Sequence, residues 1–145
     1  IDEIIHSLHP KLKKSNHSIK VDCDKNIEIS SHPGAIAQVI INLIINSIFH
    51  GFENINRGEL TINISLHQQT LHLDYADNGH GLTEDGIENL FLPFYTTKVN
   101  QGGTGLGTHI IHNLVVDTLN GSIEVINKNN PGLSYHIEFP DMRYL

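Results

Sequence analysis

Nearly every position of the segment from Pro33 to Gly51 is apolar, almost all the way round a helix, except Gln38, Asn42, Asn46 and His50, which follow one another at a spacing of four. Ser31 or His32 ahead of Pro33 supplies a helix start with proline in its first turn, and Gly51 supplies the stop, which predicts a helix of about five turns. The spacing puts four polar groups on one face. A helix this apolar has little reason to face water, so its polar stripe should line something other than core. A single Asn reads most simply as a hydrogen-bonding core residue or part of a thin solvent strip. A stripe of them points to a ligand: a carboxamide oxygen is a hard, neutral donor suited to Mg²⁺ whose other ligands are water and nucleotide phosphates.

Around this helix the pattern predicts the rest. Ile1, Ile4, Ile5, Leu8 and Leu12 recur at helical spacing with Pro10 interrupting, which reads as the tail of a longer helix over residues 1–15. A start at Ile1, inside that helix and without an initiator methionine, suggests a piece of a longer chain. Ser18 to Cys23 and Asn26 to Ser30 read as a small hairpin. Gly58 to His67 and Thr70 to Ala76 are strands joined by a polar turn at Gln68 and Gln69. Thr83 to Leu90 is a short helix. Phe91 to Gly107 is an irregular stretch rich in Gly and Thr, long enough to be a candidate functional loop or lid. Gly107 to Leu119 is a second apolar helix stopped by Asn120 and Gly121, and Ser122 to Asn127 with Leu133 to Phe139 form a closing hairpin. Helices inserted between strand pairs predict an α+β, two-layer α/β sandwich with helices on one face of a mixed sheet.

Three further stretches carry chemistry. Asp77-Asn78-Gly79-His80-Gly81 follows a strand directly. It can be a plain Asp-Asn-Gly turn, or it can set an acceptor at the mouth of the sheet, where the Asp77 carboxylate suits an exocyclic amine such as that of adenine. Gly102-Gly103-Thr104-Gly105-Leu106-Gly107 leads into a helix near Thr108; freed backbone amides and a helix N-terminus make an anion site, or the glycines make only a hinge. The Walker A pattern fails because Thr108 and His109 stand where Lys is needed, and the dinucleotide pattern fails on its glycine spacing and its missing strand. Between these lies Phe91-Leu92-Pro93-Phe94-Tyr95-Thr96-Thr97-Lys98. Phe91 and Phe94 suit loop anchors, and Lys98 is placed for a phosphate or lid contact.

Composition sets limits. With 145 residues and 39% hydrophobic content, one domain can bury a core without disulfides or metal. The single Cys23 fits a reducing compartment, with the cytoplasm as default. A net charge of −7 argues against a broad nucleic-acid or anionic-membrane surface. No apolar run reaches the roughly 20 residues of a membrane span.

Taken in order, an Asn helix, Asp-Asn-Gly-x-Gly, Phe-x-Pro-Phe-x-Thr-Thr-Lys and Gly-Gly-Thr-Gly-Leu-Gly closely resemble the N, G1, F and G2 boxes of the ATP-binding catalytic domain of sensor histidine kinases. The resemblance covers about Ser18 to Pro140 and implies the Bergerat, or GHKL, fold, with about five strands backed by three helices and ATP held under a lid. It implies a catalytic domain over 16–145 preceded, over 1–15, by the end of a dimerisation helix. Residue by residue, Asn46 would hold Mg²⁺ and Asn42 would lie close to the phosphates, the two carrying catalysis, with His50 one turn on. Asp77 would bind the adenine amine and Gly79 and Gly81 would shape the adenine wall. Phe94 and Lys98 would border the nucleotide, and Gly103, Thr104, Gly105, Leu106, Gly107 and Thr108 would line the phosphates. Where many family members carry Lys or Arg one turn past the metal-binding Asn, this chain has Phe49 and His50.

The resemblance also orders the reactions. ATP hydrolases of this fold place a Glu four residues before the metal-binding Asn to activate water. Asn42 stands there and cannot accept a proton as a general base, so hydrolysis is disfavoured. Transfer to a neutral imidazole is mostly positioning and charge neutralisation, so a histidine kinase using ATP and Mg²⁺ is the leading reading, ahead of an ATPase or a non-catalytic nucleotide-binding regulator. None of the eleven histidines sits in a phosphoacceptor setting. The expected partners are therefore a His-bearing dimerisation domain of the parent, supplied in trans, and a downstream response regulator. The fragment would be monomeric and cytoplasmic, without membrane contact of its own, and its parent a homodimer that can be anchored in the inner membrane.

Overall fold

Alternation of apolar and polar side chains builds the five strands of one sheet. The computed structural model describes residues 16–24, 26–52, 57–80, 106–126 and 132–144. Within these lie β1 (Ser18–Cys23), α1 (Pro33–Asn46), β2 (Glu59–His67), β3 (Thr70–Asp77), α2 (Leu106–Asn113), β4 (Ser122–Val125) and β5 (Ser134–Pro140). Both helices run on into a wider turn of π type, α1 through Ser47–Gly51 and α2 through Leu114–Thr118. The sheet order is β1-β2-β3-β5-β4. β1 pairs parallel with β2 and every other pair is antiparallel, so the sheet is mixed, as expected.

The inward face of β2, β3 and β5 carries Leu60 and Ile62, then Leu71, Leu73 and Tyr75, then Tyr135, Ile137 and Phe139, all buried. Val39, Ile40, Leu43 and Ile44 of α1 and Ile111, Val115 and Leu119 from α2 and its extension complete the same core. Each such aliphatic side chain contributes about 1.5–3 kcal/mol on burial, and a one-residue slip would turn the whole set outward, which fixes the register. The other face of the sheet, with Asn63, His72, Asp74, His136 and Glu138, is polar. The expected two layers are present, with α1 and α2 packed on each other and on one side of the sheet. The third expected helix, Thr83 to Leu90, lies outside the described residues, as does the segment 1–15.

Two connections are instructive. Gln68 and Gln69 both take positive φ, 50° and 60°, the two-residue turn whose twist matches antiparallel strands. Gly121 ends the second helix where the backbone passes so near β5 that a Cβ would sit 2.0 Å from the Glu138 carbonyl oxygen, so no side chain fits.

The hairpin expected over Ser18 to Ser30 does not form. Ser18–Cys23 pairs instead with Glu59–Ile64, and residues 26–30 take no strand partner in the sheet. The Asp24 carboxylate accepts the Asn26 N–H at 2.8 Å and its carbonyl accepts from Ile27, a local turn that leads the chain away from β1. Ile27 and Ile29 still pack on the core. Ser30 is tied at its N–H to Asp141 and at its carbonyl to the Met142 N–H. The alternation thus reports half-burial, and the C-terminal turn supplies the partner that a hairpin would have supplied.

Candidate functional site

Helix α1 forms as its pattern predicts. Pro33 stands in its first turn, His32 precedes it as the cap residue, and the helix runs unbroken to Asn46. Its polar stripe lies beside the buried one: Gln38 is exposed, Asn42 and Asn46 are half-buried, and Val39, Ile40, Leu43 and Ile44 are buried. The Gln38 side-chain amide donates to the Asn42 carboxamide oxygen at 2.7 Å, which fixes the amide plane of Asn42. Asn46 differs. Its Nδ2 is buried and has no hydrogen-bond partner among the described residues, which leave half of a carboxamide withdrawn from water without compensation, a state that costs about 1–3 kcal/mol. His50 follows in the π turn, and its side chain lies outside the described residues.

At the far end of β3, Asp77 is buried with 7% of its surface exposed. Its Oδ1 accepts the Gly79 N–H at 3.0 Å and the Leu133 N–H at 3.1 Å. Its Oδ2 accepts the Ser47 hydroxyl at 2.7 Å. A carboxylate offers about four acceptor positions, so the described residues fill three and leave one, on Oδ2, for a donor. Ser47 also lies 2.6 Å from the Tyr75 hydroxyl, which lies 3.0 Å from the Leu43 carbonyl. Proton counting orders this chain: Ser47 spends its one proton on Asp77, so the single Tyr75 proton is shared between the Ser47 oxygen and the Leu43 carbonyl. Burial, first of all, holds the Tyr75 phenol well above its ordinary pKa, and Asp77 adds to the effect against the lowering contribution of Ser47. Burial followed by the charge of Asp77 does the same to Tyr135. Both phenols thus stay protonated donors.

The glycine turn after β3 is held by several contacts. Asn78 accepts the Glu59 N–H at 2.8 Å through its side chain and donates its own N–H to the Glu59 carbonyl. Gly79 is buried beside Asp77. Gly132, with φ +99°, passes so close that a Cβ would lie 1.9 Å from the Asp77 carbonyl oxygen. The Asp77 side chain is therefore aimed by both neighbouring elements, the end of α1 and the entry to β5.

Helix α2 begins at Leu106, two residues ahead of the expected start near Thr108, with Gly107 inside its first turn. First-turn N–H groups need no intrahelical partner, so a glycine costs little there. Leu106, Gly107 and Thr108 thus open a helix that packs against α1. Gly81, Phe94, Lys98, Gly103, Thr104 and Gly105 lie outside the described residues.

Chemically, the described residues offer one open carboxylate acceptor, two carboxamides on an adjoining helix and a helix start. This donor set fits a nucleotide: an acceptor for a base amine, amides for phosphates, and neutral oxygens for a hard cation. The orphaned amide of Asn46 is the observation that fits an added group best.

The family model described as histidine kinase-, DNA gyrase B- and HSP90-like ATPase matches residues 31–143. The chain belongs to this family. It is 30% identical over 113 residues to the sensor histidine kinase ZraS of Escherichia coli, a match covering 78% of this chain and 23% of that protein. It is 31% identical over 140 residues to sporulation kinase E of Bacillus subtilis, covering 95% of this chain and 18% of that one. The chain therefore spans about a quarter or less of the length of these relatives. Among solved structures, the nucleotide-free catalytic domain of histidine kinase ThkA superposes with a TM-score of 0.80 at 26% identity, covering 97% of this chain and 89% of that one. ThkA in complex with the response regulator TrrA gives a TM-score of 0.76 at 25% identity, over 97% of this chain and 39% of that one. The chain is a histidine kinase-type catalytic domain, and its family is one of ATP-binding proteins. Among the described residues no helix is long and apolar enough to cross a membrane.

The sequence pattern singled out Asn42, Asn46, Asp77 and Gly79, which the structure places at the ends of α1 and β3, but not Ser47, Tyr75, Gly132 and Leu133, which surround Asp77. Ser47 was the readable one: a small hydroxyl directly after Asn46, one turn past buried Leu43 and outside the polar stripe of a largely apolar helix.

Proposed function

We propose that this domain binds Mg-ATP in the pocket between α1, the Asp77 turn and the start of α2, and transfers the γ-phosphoryl group to a histidine on a separate helical domain. The observation that carries the reading is Asp77, buried and triply held, with one acceptor position left on Oδ2 beside Ser47. That position takes the exocyclic amine of adenine, which gives base selectivity because a keto oxygen there would meet a carboxylate. Asn46 would hold Mg²⁺, which when bound neutralises phosphate charge, and Asn42, fixed by Gln38, would lie close to the phosphates. Backbone N–H groups at Leu106, Gly107 and Thr108 would donate to the phosphate oxygens.

In the transfer, a bond forms between an imidazole nitrogen of the acceptor and the γ-phosphorus, and the bond from that phosphorus to the bridging oxygen breaks, leaving ADP. This chain supplies alignment and charge. Asn42 cannot take a proton from water, which disfavours hydrolysis. Residues 1–15 would be the end of the helix that leads from the acceptor domain, and the parent would be a homodimer passing phosphate to a response regulator.

The test is incubation of the domain with γ-labelled Mg-ATP and a dimeric helical hairpin bearing a His-Glu or His-Asp box. Acid-labile, base-stable label on the hairpin, lost in Asn46→Ala, is expected. Ready release of inorganic phosphate without any acceptor would instead identify an ATPase.

A further inference from the structure

The open face of the sheet carries a second constellation, away from the nucleotide pocket. β3 and β5 run antiparallel with His72 opposite Glu138 and Asp74 opposite His136. Period two in both strands therefore puts all four side chains on the polar face, in a square. His136 Nε2 lies 2.9 Å from Glu138 Oε1, and His72 Nδ1 lies 3.4 Å from the same oxygen. The donor atoms of His72, His136 and Glu138 all fall within 4.8 Å of one another. The other nitrogen of His136, Nδ1, lies 2.6 Å from Asp74 Oδ1.

We infer that His72, His136 and Glu138 form a binding site for a divalent transition-metal ion of the zinc type. Bonds of about 2.0–2.2 Å in a tetrahedral arrangement set ligand atoms about 3.4 Å apart. The 2.9 and 3.4 Å separations already observed need only small side-chain adjustments to enclose an ion. Asp74 adds what a bare cluster lacks: it accepts Nδ1–H of His136, which fixes the tautomer and turns a basic Nε2 toward the ion, the carboxylate–histidine–metal arrangement. Two imidazoles and one carboxylate select a borderline ion over Mg²⁺ or Ca²⁺. The side chains of His72 and His136 are 24% and 22% exposed, so they are held by their neighbours yet reachable, and a water completes the fourth position. The net charge of −7 favours the cation. The bound ion would staple two central strands, of which β3 ends at Asp77.

Titration of the folded domain with zinc chloride, followed by calorimetry and with cobalt(II) absorption as a probe of tetrahedral geometry, tests the site. One ion per chain is expected, with affinity falling at least tenfold in His72→Gln and in His136→Gln, and with a rise in Tm on zinc addition that both variants lose. Circular dichroism establishes that each variant folds. Independently, imidazole NMR signals of the unaltered domain should show His72 and His136 responding first. Unchanged affinity in both variants overturns the inference, as does loss of binding only in the double variant of His109 and His112, the helical pair.

Discussion

The hydroxyl of Ser47 lies 2.7 Å from the carboxylate of Asp77, joining the last turn of the Asn-bearing helix to the last residue of the central strand. Asp77 and Asn46, proposed to hold the adenine amine and Mg²⁺, are thereby tied to each other, because Ser47 directly follows Asn46. Ser47→Ala removes, among the described residues, the donor on Asp77 Oδ2, and leaves the Tyr75 hydroxyl with the Leu43 carbonyl alone. A loss of about 1–3 kcal/mol is expected for buried groups left unpaired. Urea unfolding measures it. In a double-mutant cycle with Tyr75→Phe the two losses should fall short of additive by at least about 0.5 kcal/mol, because both remove one chain of bonds.

Gly132 stands against the other side of Asp77. A substitution to Ala there meets positive φ and the Asp77 carbonyl together. Backbone strain alone costs about 1–3 kcal/mol, and relief requires moving the turn that donates the Leu133 N–H. The expected result is lower stability by denaturant unfolding and weaker ATP binding in whatever fraction stays folded.

The turn at Gln68 and Gln69 places two residues with side chains in the left-handed region, each at a cost of roughly 1 kcal/mol. Replacing the pair by Asn-Gly suits the same turn and should stabilise the domain by about 1 kcal/mol. The pair lies at the far end of β3 from Asp77, so ATP affinity should not change. Thermal unfolding and a nucleotide titration check the two halves.

Asp141 is buried and holds Arg143 through both carboxylate oxygens, and it accepts the N–H groups of Ser30 and Arg143. The Arg143 side chain, first, and these amides pull its pKa well below the ordinary carboxylate range. A depressed folded-state pKa means the unfolded chain binds the proton more readily, so the stabilisation is full above the ordinary value near 3.8 and is lost as pH falls through the lower folded value. Stability measured by denaturant from pH 5 downward should therefore fall more steeply for the unaltered chain than for Asp141→Asn, the two converging in strong acid.

Much of this was legible locally. Proline at 33, the apolar run of α1, the Gln68-Gln69 turn and the Asn120-Gly121 stop are signals carried by neighbouring residues, and the structure follows them. The parallel pairing of β1 was not legible, because alternation at Ile27 and Ile29 reports a half-buried backbone without saying which strand lies beside it. Asn42, Asn46 and Asp77 stood out because polar groups interrupt apolar runs. Tyr75 and Gly132 did not, because an aromatic in a strand and a glycine before one are ordinary; their roles exist only once β3, β5 and α1 converge on one carboxylate.

The most direct test of the pocket is calorimetric titration of Mg-ATP into the domain and into Asp77→Asn. An Asn at 77 can still accept the Gly79 and Leu133 N–H groups and donate to Ser47, so the fold should stand, with the unfolding free energy unchanged to within about 1 kcal/mol. What the amide lacks is the free acceptor position on Oδ2, where its NH₂ would instead face the adenine amine donor to donor. Affinity at least tenfold weaker in a folded Asp77→Asn variant is the predicted result, and equal affinity in the two proteins would contradict the account.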